Sequence, residues 1–176
     1  CGSNRILEAM RRGHSVEDYL HIIDLLKEAV PDIALSTDII VGFPGETDSE
    51  FRHTLKLMER VGFDNSFMFA YSPRPGTPAM ELEDSVTESE KRFRLQETIR
   101  LQKKITSRNG RRFIGQKVSV LIEDVTTRNG ADFKGRSPHY WMVYFKGDKD
   151  RLKPGDQVEV RVEDAKGHAL LGVCSN

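Results

Sequence analysis

Thr37-Asp38-Ile39-Ile40-Val41-Gly42-Phe43-Pro44-Gly45-Glu46-Thr47 decides the class of fold. The run from Ile33 to Val41 is apolar enough to read as a strand buried on both faces, the kind found in parallel sheets. Gly42-Phe43-Pro44-Gly45 breaks it as a turn. Thr47-Asp48-Ser49-Glu50 then has the form of a capping box, and Phe51, Leu55, Met58 and Val61 line one face of the helix it opens. Gly62 is placed to end that helix. A strand, a tight turn and a capped helix make one βα unit, and in parallel α/β architectures ligands gather at the C-terminal ends of the strands. Glycines let a ligand approach the backbone, and helix N-terminal amides favour a carboxylate or phosphate. The alternative is a tight βα turn that holds no ligand.

The same grammar continues on both sides. Upstream, Ser15-Val16-Glu17-Asp18 resembles a second capping box, with Tyr19, Leu20, Ile23 and Leu26 on one helical face and Pro31 as the stop. Downstream, Phe63 to Tyr71 is another apolar strand, which Ser72-Pro73-Arg74-Pro75-Gly76-Thr77-Pro78 must leave as a loop. Thr87-Glu88-Ser89-Glu90 is a third capping box, opening a long basic helix that runs to about Asn109-Gly110. The order α-β-α-β-α implies parallel strands joined by crossover helices. Two strands are too few for a (β/α) barrel, which needs about eight in its full form. The expectation is therefore the C-terminal portion of a partial barrel. The opening Cys1-Gly2-Ser3-Asn4, with no initiator Met, fits a chain that begins inside a larger domain.

From Phe113 the apolar period changes from 3.6 to 2. Lys117 to Glu123, Tyr140 to Phe145 and Gln157 to Val162 alternate, separated by Asn129-Gly130, Lys146-Gly147, Pro154-Gly155 and Lys166-Gly167. Short alternating strands with close turns predict a small closed β-barrel. The boundary falls near Arg111, giving an α/β domain over 1–111 and an all-β domain over 112–176.

Composition excludes some classes and points to others. No apolar run approaches the roughly 20 residues that cross a bilayer, and no secretory signal opens the chain, so a cytoplasmic protein without a membrane partner is expected. The two cysteines, Cys1 and Cys174, form no CxxC or Cys/His cluster, so this chain offers no metal site of its own. The 27 basic and 27 acidic residues cancel, but their distribution is uneven. From Lys91 to Lys117 there are ten basic residues and one acid, Glu97, whereas Glu81 to Glu90 holds five acids and no base. The basic run is either a solvated helix face or part of a nucleic-acid surface.

Phe69-Ala70-Tyr71-Ser72-Pro73-Arg74-Pro75-Gly76-Thr77-Pro78 lies at the end of the second strand and so shares a rim with the Gly42–Glu46 turn. Three prolines stiffen the loop, and Arg74 would project from it as a fixed cation for a carboxylate or phosphate. Together with Gly2-Ser3-Asn4-Arg5-Ile6-Leu7-Glu8-Ala9-Met10-Arg11-Arg12-Gly13 and Ser36 to Thr47, this loop resembles the successive motifs of the methylthiotransferase branch of the radical-SAM enzymes. The match covers residues 1 to about 110, and the remainder is similar to a TRAM domain. The form YSPRPGTPA resembles the tRNA-modifying, MiaB-type members over those that modify a ribosomal protein.

The resemblance implies S-adenosyl-L-methionine (SAM) as cofactor and two 4Fe–4S clusters in the parent protein, with ligands outside this chain and no catalytic residue within it. It implies tRNA as partner, a monomeric parent, and methylthio transfer to C2 of an N6-isopentenyladenosine beside the anticodon. The rival readings are a relative acting on threonylcarbamoyl-adenosine or a ribosomal protein, and a non-catalytic RNA-binding module. Carried over by motif, Gly2 and Ser3 end a strand that contacts SAM, and Gly42, Phe43, Pro44, Gly45 and Glu46 form the adenine-side turn. Ile40 and Phe43 would cover the adenine face, with Tyr71 on the same rim. Asp38, an acid in an apolar strand, divides between ligand contact and a structural hydrogen bond. Arg12 divides between the cavity and the helix surface. For RNA, the candidates are Arg12 and Arg74, the helix residues Lys103, Lys104, Arg108, Arg111 and Arg112, and the barrel residues Arg128, Lys134, Arg136, His139 and Trp141. A basic-aromatic mix suits phosphates and unpaired bases, the alternatives being a core Trp141 and a surface His139.

Overall fold

A computed structural model describes residues 1–175. The chain divides into two compact units, Cys1–Ile105 and Thr106 onward. The first holds α1 (Asn4–Ala9), α2 (Val16–Ala29), β1 (Ser36–Val41), α3 (Asp48–Val61), β2 (Asn65–Ala70) and most of α4 (Glu88–Gly110). The second holds the end of α4 and β3 (Lys117–Val125), β4 (Phe133–Arg136), β5 (Met142–Lys146), β6 (Gln157–Lys166) and β7 (Ala169–Cys174).

In the first unit, β1 and β2 pair in parallel, with Asp38 opposite Phe67 and Ile40 opposite Phe69. Helix α3 begins at a reciprocal capping box between Thr47 and Glu50, and ends where Gly62 turns left-handed at φ 70° and donates to the Met58 carbonyl. Helix α2 opens on the corresponding box between Ser15 and Asp18. Ile23, Ile39, Val41, Phe51, Met58, Val61, Phe63 and Ile105 make the core, and Tyr19 and Leu20 pack against it. Leu26, expected on the buried face of α2, is exposed.

The strand expected to be buried on both faces is not. Strand β1 is shorter than the apolar run, and only Ile39 and Val41 are fully buried, while Asp38 is exposed. The core covers one face of this two-stranded sheet. On the other, Phe67 and Phe69 remain 57% and 53% exposed beside Asp38 and Ile40.

The second unit is a closed five-stranded barrel in the order β3-β4-β5-β7-β6, with β5 and β7 pairing in parallel to complete it. Val118, Val120, Ile122, Phe133, Val143, Phe145, Val160, Val162 and Leu170 point inward on alternate positions, as strand periodicity requires, and Phe113 and Trp141 join them. Gly135 lets β3 and β4 approach: a Cβ there would lie 2.1 Å from the Leu121 carbonyl oxygen.

Candidate functional site

The turn from β1 into α3 is held from inside by a single carboxylate. Glu46 is buried, and its Oε2 accepts the Gly42 N–H at 2.7 Å and an Arg94 Nη1 hydrogen bond at 2.8 Å. The same Arg94 nitrogen also donates to the Glu46 carbonyl at 2.8 Å, and Nη2 reaches Glu90. Burial pushes the Glu46 carboxyl above its ordinary value, while the Gly42 N–H and the Arg94 guanidinium pull it back. Its other oxygen has no partner among the described residues. Gly42 and Gly45 both have positive φ, 70° and 75°. From outside, Arg5 donates to the Gly45 carbonyl at 2.7 Å and is paired with Glu50. Glu46 therefore shapes from within the turn that the sequence singled out, its carboxylate engaged by Gly42 and Arg94.

Above the open sheet face lies a cavity of about 570 Å³, lined by Met10, Ile40, Phe43, Phe69, Ala70 and Tyr71 and by the arginines Arg11, Arg12 and Arg74. Phe43 and Tyr71 meet edge to face at 5.1 Å, and the Tyr71 N–H donates to the Val41 carbonyl, tying the start of the proline loop to the end of β1. Lys91 Nζ sits 5.6 Å over the Tyr71 ring and is bonded to Asp84 and Glu88. No carboxylate lines this cavity, and none of its three arginines has an acidic partner among the described residues. An adjoining hollow of about 270 Å³ shares Met10, Arg12 and Ile40 and adds Asp38, Thr37 and Tyr19.

The sequence-derived candidates thus separate. Ile40, Phe43, Tyr71, Arg12 and Arg74 converge on one cavity, and Asp38 faces its neighbour with an exposed carboxylate. Gly2 and Ser3 lie where α1 packs on α3. The Gly2 N–H donates to Thr54 Oγ1, Ser3 Oγ caps α1 and donates to Glu50, and a Cβ on Gly2 would lie 2.4 Å from the His53 backbone. Gly42, Pro44 and Gly45 shape the turn and do not line the cavity. Arg11 and Phe69 line it and were not singled out. Arg11 adopts φ 55°, which a bulky residue rarely takes, at the point where α1 gives way to the loop. The one available signal was its adjacency to Arg12.

The basic run is less free than its composition suggested. Lys91 and Arg94 are buried and paired with acids, and Arg100 pairs with Glu97 at 2.5 Å. Lys103, Lys104, Arg108, Arg111 and Arg112 are exposed, Arg112 lying 4.9 Å over the Phe113 ring. In the barrel, Lys134 and Arg136 share the outer face of β4, bonded to Asp124 and Glu123. Arg128 lies over Tyr144. Trp141 is fully buried and stacks on His168 at 4.5 Å, so it is a core residue and its ring is not available to a base. His139 is half-buried against Phe113, with Nδ1 buried and without a partner among the described residues.

Residues 1–58 match the Radical SAM superfamily and residues 111–174 match the TRAM domain. An apolar-walled cavity at parallel strand ends and a small closed β-barrel are the two parts that such a pairing calls for. Over 98% of its length the chain is 45% identical to a tRNA-2-methylthio-N(6)-dimethylallyladenosine synthase of Stutzerimonas stutzeri, and 43% identical to the protein of that name from Acetivibrio thermocellus. A Thermobifida fusca protein of the same name is 40% identical over 97% of the chain. The resemblance to radical-SAM methylthiotransferases therefore extends through both units, and the chain spans 35–39% of the length of these relatives.

The residues present fit SAM in part. The cavity offers apolar and aromatic walls to an adenine and unpaired guanidinium groups to a carboxylate. They do not fit an iron–sulfur cluster: no three Cys, His, Asp or Glu side chains stand together among the described residues.

Proposed function

We propose that this chain is the substrate-side rim and RNA-binding portion of a radical-SAM enzyme that adds a methylthio group to C2 of N6-dimethylallyladenosine beside a tRNA anticodon. The observation that carries the reading is the cavity at the β1 and β2 ends, where Ile40, Phe43 and Tyr71 give an apolar wall and Arg11, Arg12 and Arg74 give an acid-free cationic edge. In this reading the Phe43 and Tyr71 rings, fixed edge to face, cover an adenine and exclude water from it. Arg74, on its proline-stiffened loop, holds the carboxylate of the cofactor, and Arg11 and Arg12 hold a phosphate of the tRNA. SAM, when bound, supplies the adenosyl radical and the methyl group. The protein's own contribution is to orient the reacting groups and keep solvent out. The cluster ligands would come from other parts of the parent protein. A cytoplasmic, monomeric parent accords with this role, and no helix among the described residues is long and apolar enough to cross a membrane.

Calorimetric titration of the full-length protein with SAM tests the site. Tyr71→Ala and Arg74→Ala should each weaken SAM binding by about tenfold, the order expected when a site's aromatic wall or charge partner is lost. Unchanged affinity in folded variants would move the cofactor away from this cavity.

A further inference from the structure

The β4–β5 hairpin carries a tyrosine where its backbone calls for glycine. The loop is Pro138-His139-Tyr140, closed by the Ser137 N–H to the Trp141 carbonyl at 3.1 Å and turned by the Tyr140 N–H to the Ser137 carbonyl at 2.9 Å. Ser137 Oγ also accepts the Trp141 N–H at 3.3 Å. In three-residue hairpin loops of this form the last position is left-handed, and Gly is its usual occupant. Tyr140 holds that position at φ 63°, and its flanking residues Ser137 and Trp141 are buried. Tyr140 itself is 70% exposed, and its hydroxyl has no partner among the described residues. The fold therefore tolerates an unfavourable backbone state to display a ring that supplies nothing to the core. Such outliers are a reason to look for function.

The ring's surroundings say what it would meet. The Arg136 guanidinium lies 4.4 Å from the ring centroid and is fixed by Glu123 at 2.9 Å. Leu121, opposite Arg136 across the β3–β4 ladder, is also exposed, and farther along the same face Arg128 lies over Tyr144. Glu123 and Asp124 offset Arg136 and Lys134, so this face offers a phosphate chain little net charge. What it offers is a flat aromatic surface backed by a planar cation, which suits a base lacking a pairing partner.

We infer that Tyr140, backed by Arg136, is a stacking platform for one unpaired nucleobase of a single-stranded RNA segment. This rests on the reading that the chain acts on RNA, and it assigns to Tyr140 the role that the sequence suggested for Trp141.

The test is binding of the 176-residue chain to a labelled, unstructured oligoadenylate across a salt series, with a melting curve for each variant. Tyr140→Phe should bind like the parent. Tyr140→Asn, which tolerates the left-handed backbone, should melt no lower than the parent yet bind about tenfold more weakly with the salt slope unchanged. Parent-like affinity in Tyr140→Asn overturns the platform, and is also what a face that docks a protein would give. Affinity lost only in step with melting temperature overturns it too, since Tyr140 would then serve the fold. A parent chain that binds no RNA at any salt removes the RNA reading itself, and the platform with it.

Discussion

Replacing Arg94 by Met removes the guanidinium that sits against Glu46 inside the β1–α3 turn. Both side chains are buried, with the pair at 2.8 Å. The substitution leaves the Glu46 carboxylate with the Gly42 N–H as its one remaining donor, and one oxygen already lacks a partner. Stripping one member from a buried ion pair costs about 3–5 kcal/mol, because the surviving charge stays desolvated and uncompensated. That is a large share of the roughly 5–15 kcal/mol that holds a typical domain together. The pH dependence has a definite sign. Burial already raises the folded-state pKa of Glu46, so this residue's contribution to stability falls as pH rises from its unfolded value towards its folded one. Without Arg94 the folded value rises further and the window widens, so Arg94→Met should be closer to the parent at pH 5 than at pH 7.5. Urea denaturation followed by helix circular dichroism reads this unit, whereas fluorescence of the single tryptophan, Trp141, reads the barrel. Combining Arg94→Met with Glu46→Leu should recover part of the loss, because an apolar pair carries no unpaired charge, although the Gly42 N–H then loses its acceptor. A loss below about 1 kcal/mol, the scale of a surface pair, or a double variant no better than the single one, would refute the buried-pair account.

Trp141→Ala should cost the barrel about 3–5 kcal/mol, measured by urea denaturation, since it empties a fully buried indole site. Gly42→Ala should cost about 2 kcal/mol or more by the same assay: it forces φ 70° on a residue with a Cβ, and that atom would lie 2.5 Å from Lys91 Cγ. Glu50 is held well below the usual carboxylate range by Arg5 first, and by Thr47 and Ser3, so its stabilisation is complete above about pH 5 and is lost as pH falls further. Glu50→Gln should flatten that acid-side slope in a pH series of melting curves. Reversing Lys103, Lys104, Arg108 and Arg111 to Glu should weaken filter binding to all tRNAs alike and flatten the log–log salt slope by about 3.6, given roughly 0.9 per phosphate contact.

Much of the fold was legible because local chemistry and global architecture agree. The capping boxes at Ser15 and Thr47, a cap at Thr87, the stop at Gly62 and the change of period after Phe113 all stand where the sequence puts them, though at Thr87 only the Glu90 N–H to Thr87 Oγ1 half of the box is formed. Strands β4 and β7 were not legible. The first is four residues with a glycine in it, and the second has apolar residues without clean alternation, so neither carries a period-2 signal. The apolar run before Gly42 suggested burial on both faces, yet hydrophobicity alone cannot say which neighbours are present to cover Ile40, Phe67 and Phe69.

Ile40, Phe43, Tyr71 and Arg74, which strand ends and a stiff loop put on one rim, line a single cavity. The Glu46–Arg94 pair could not be read because it joins segments 48 residues apart, and the burial of Lys91 against Asp84 and Glu88 leaves no mark on composition. Tyr140 and Trp141 are adjacent and both aromatic. What separates them is a hairpin loop that turns one ring out and the other in, and composition carries no trace of it.

The central claim is tested most directly by mass spectrometry of tRNA nucleosides from cells lacking the full-length protein. The account predicts that the 2-methylthio form of N6-dimethylallyladenosine disappears while unthiolated N6-dimethylallyladenosine accumulates, and that the full-length gene restores the pattern. Undiminished methylthio nucleoside in the deletion strain, or loss of a threonylcarbamoyl-derived species in its place, would contradict it.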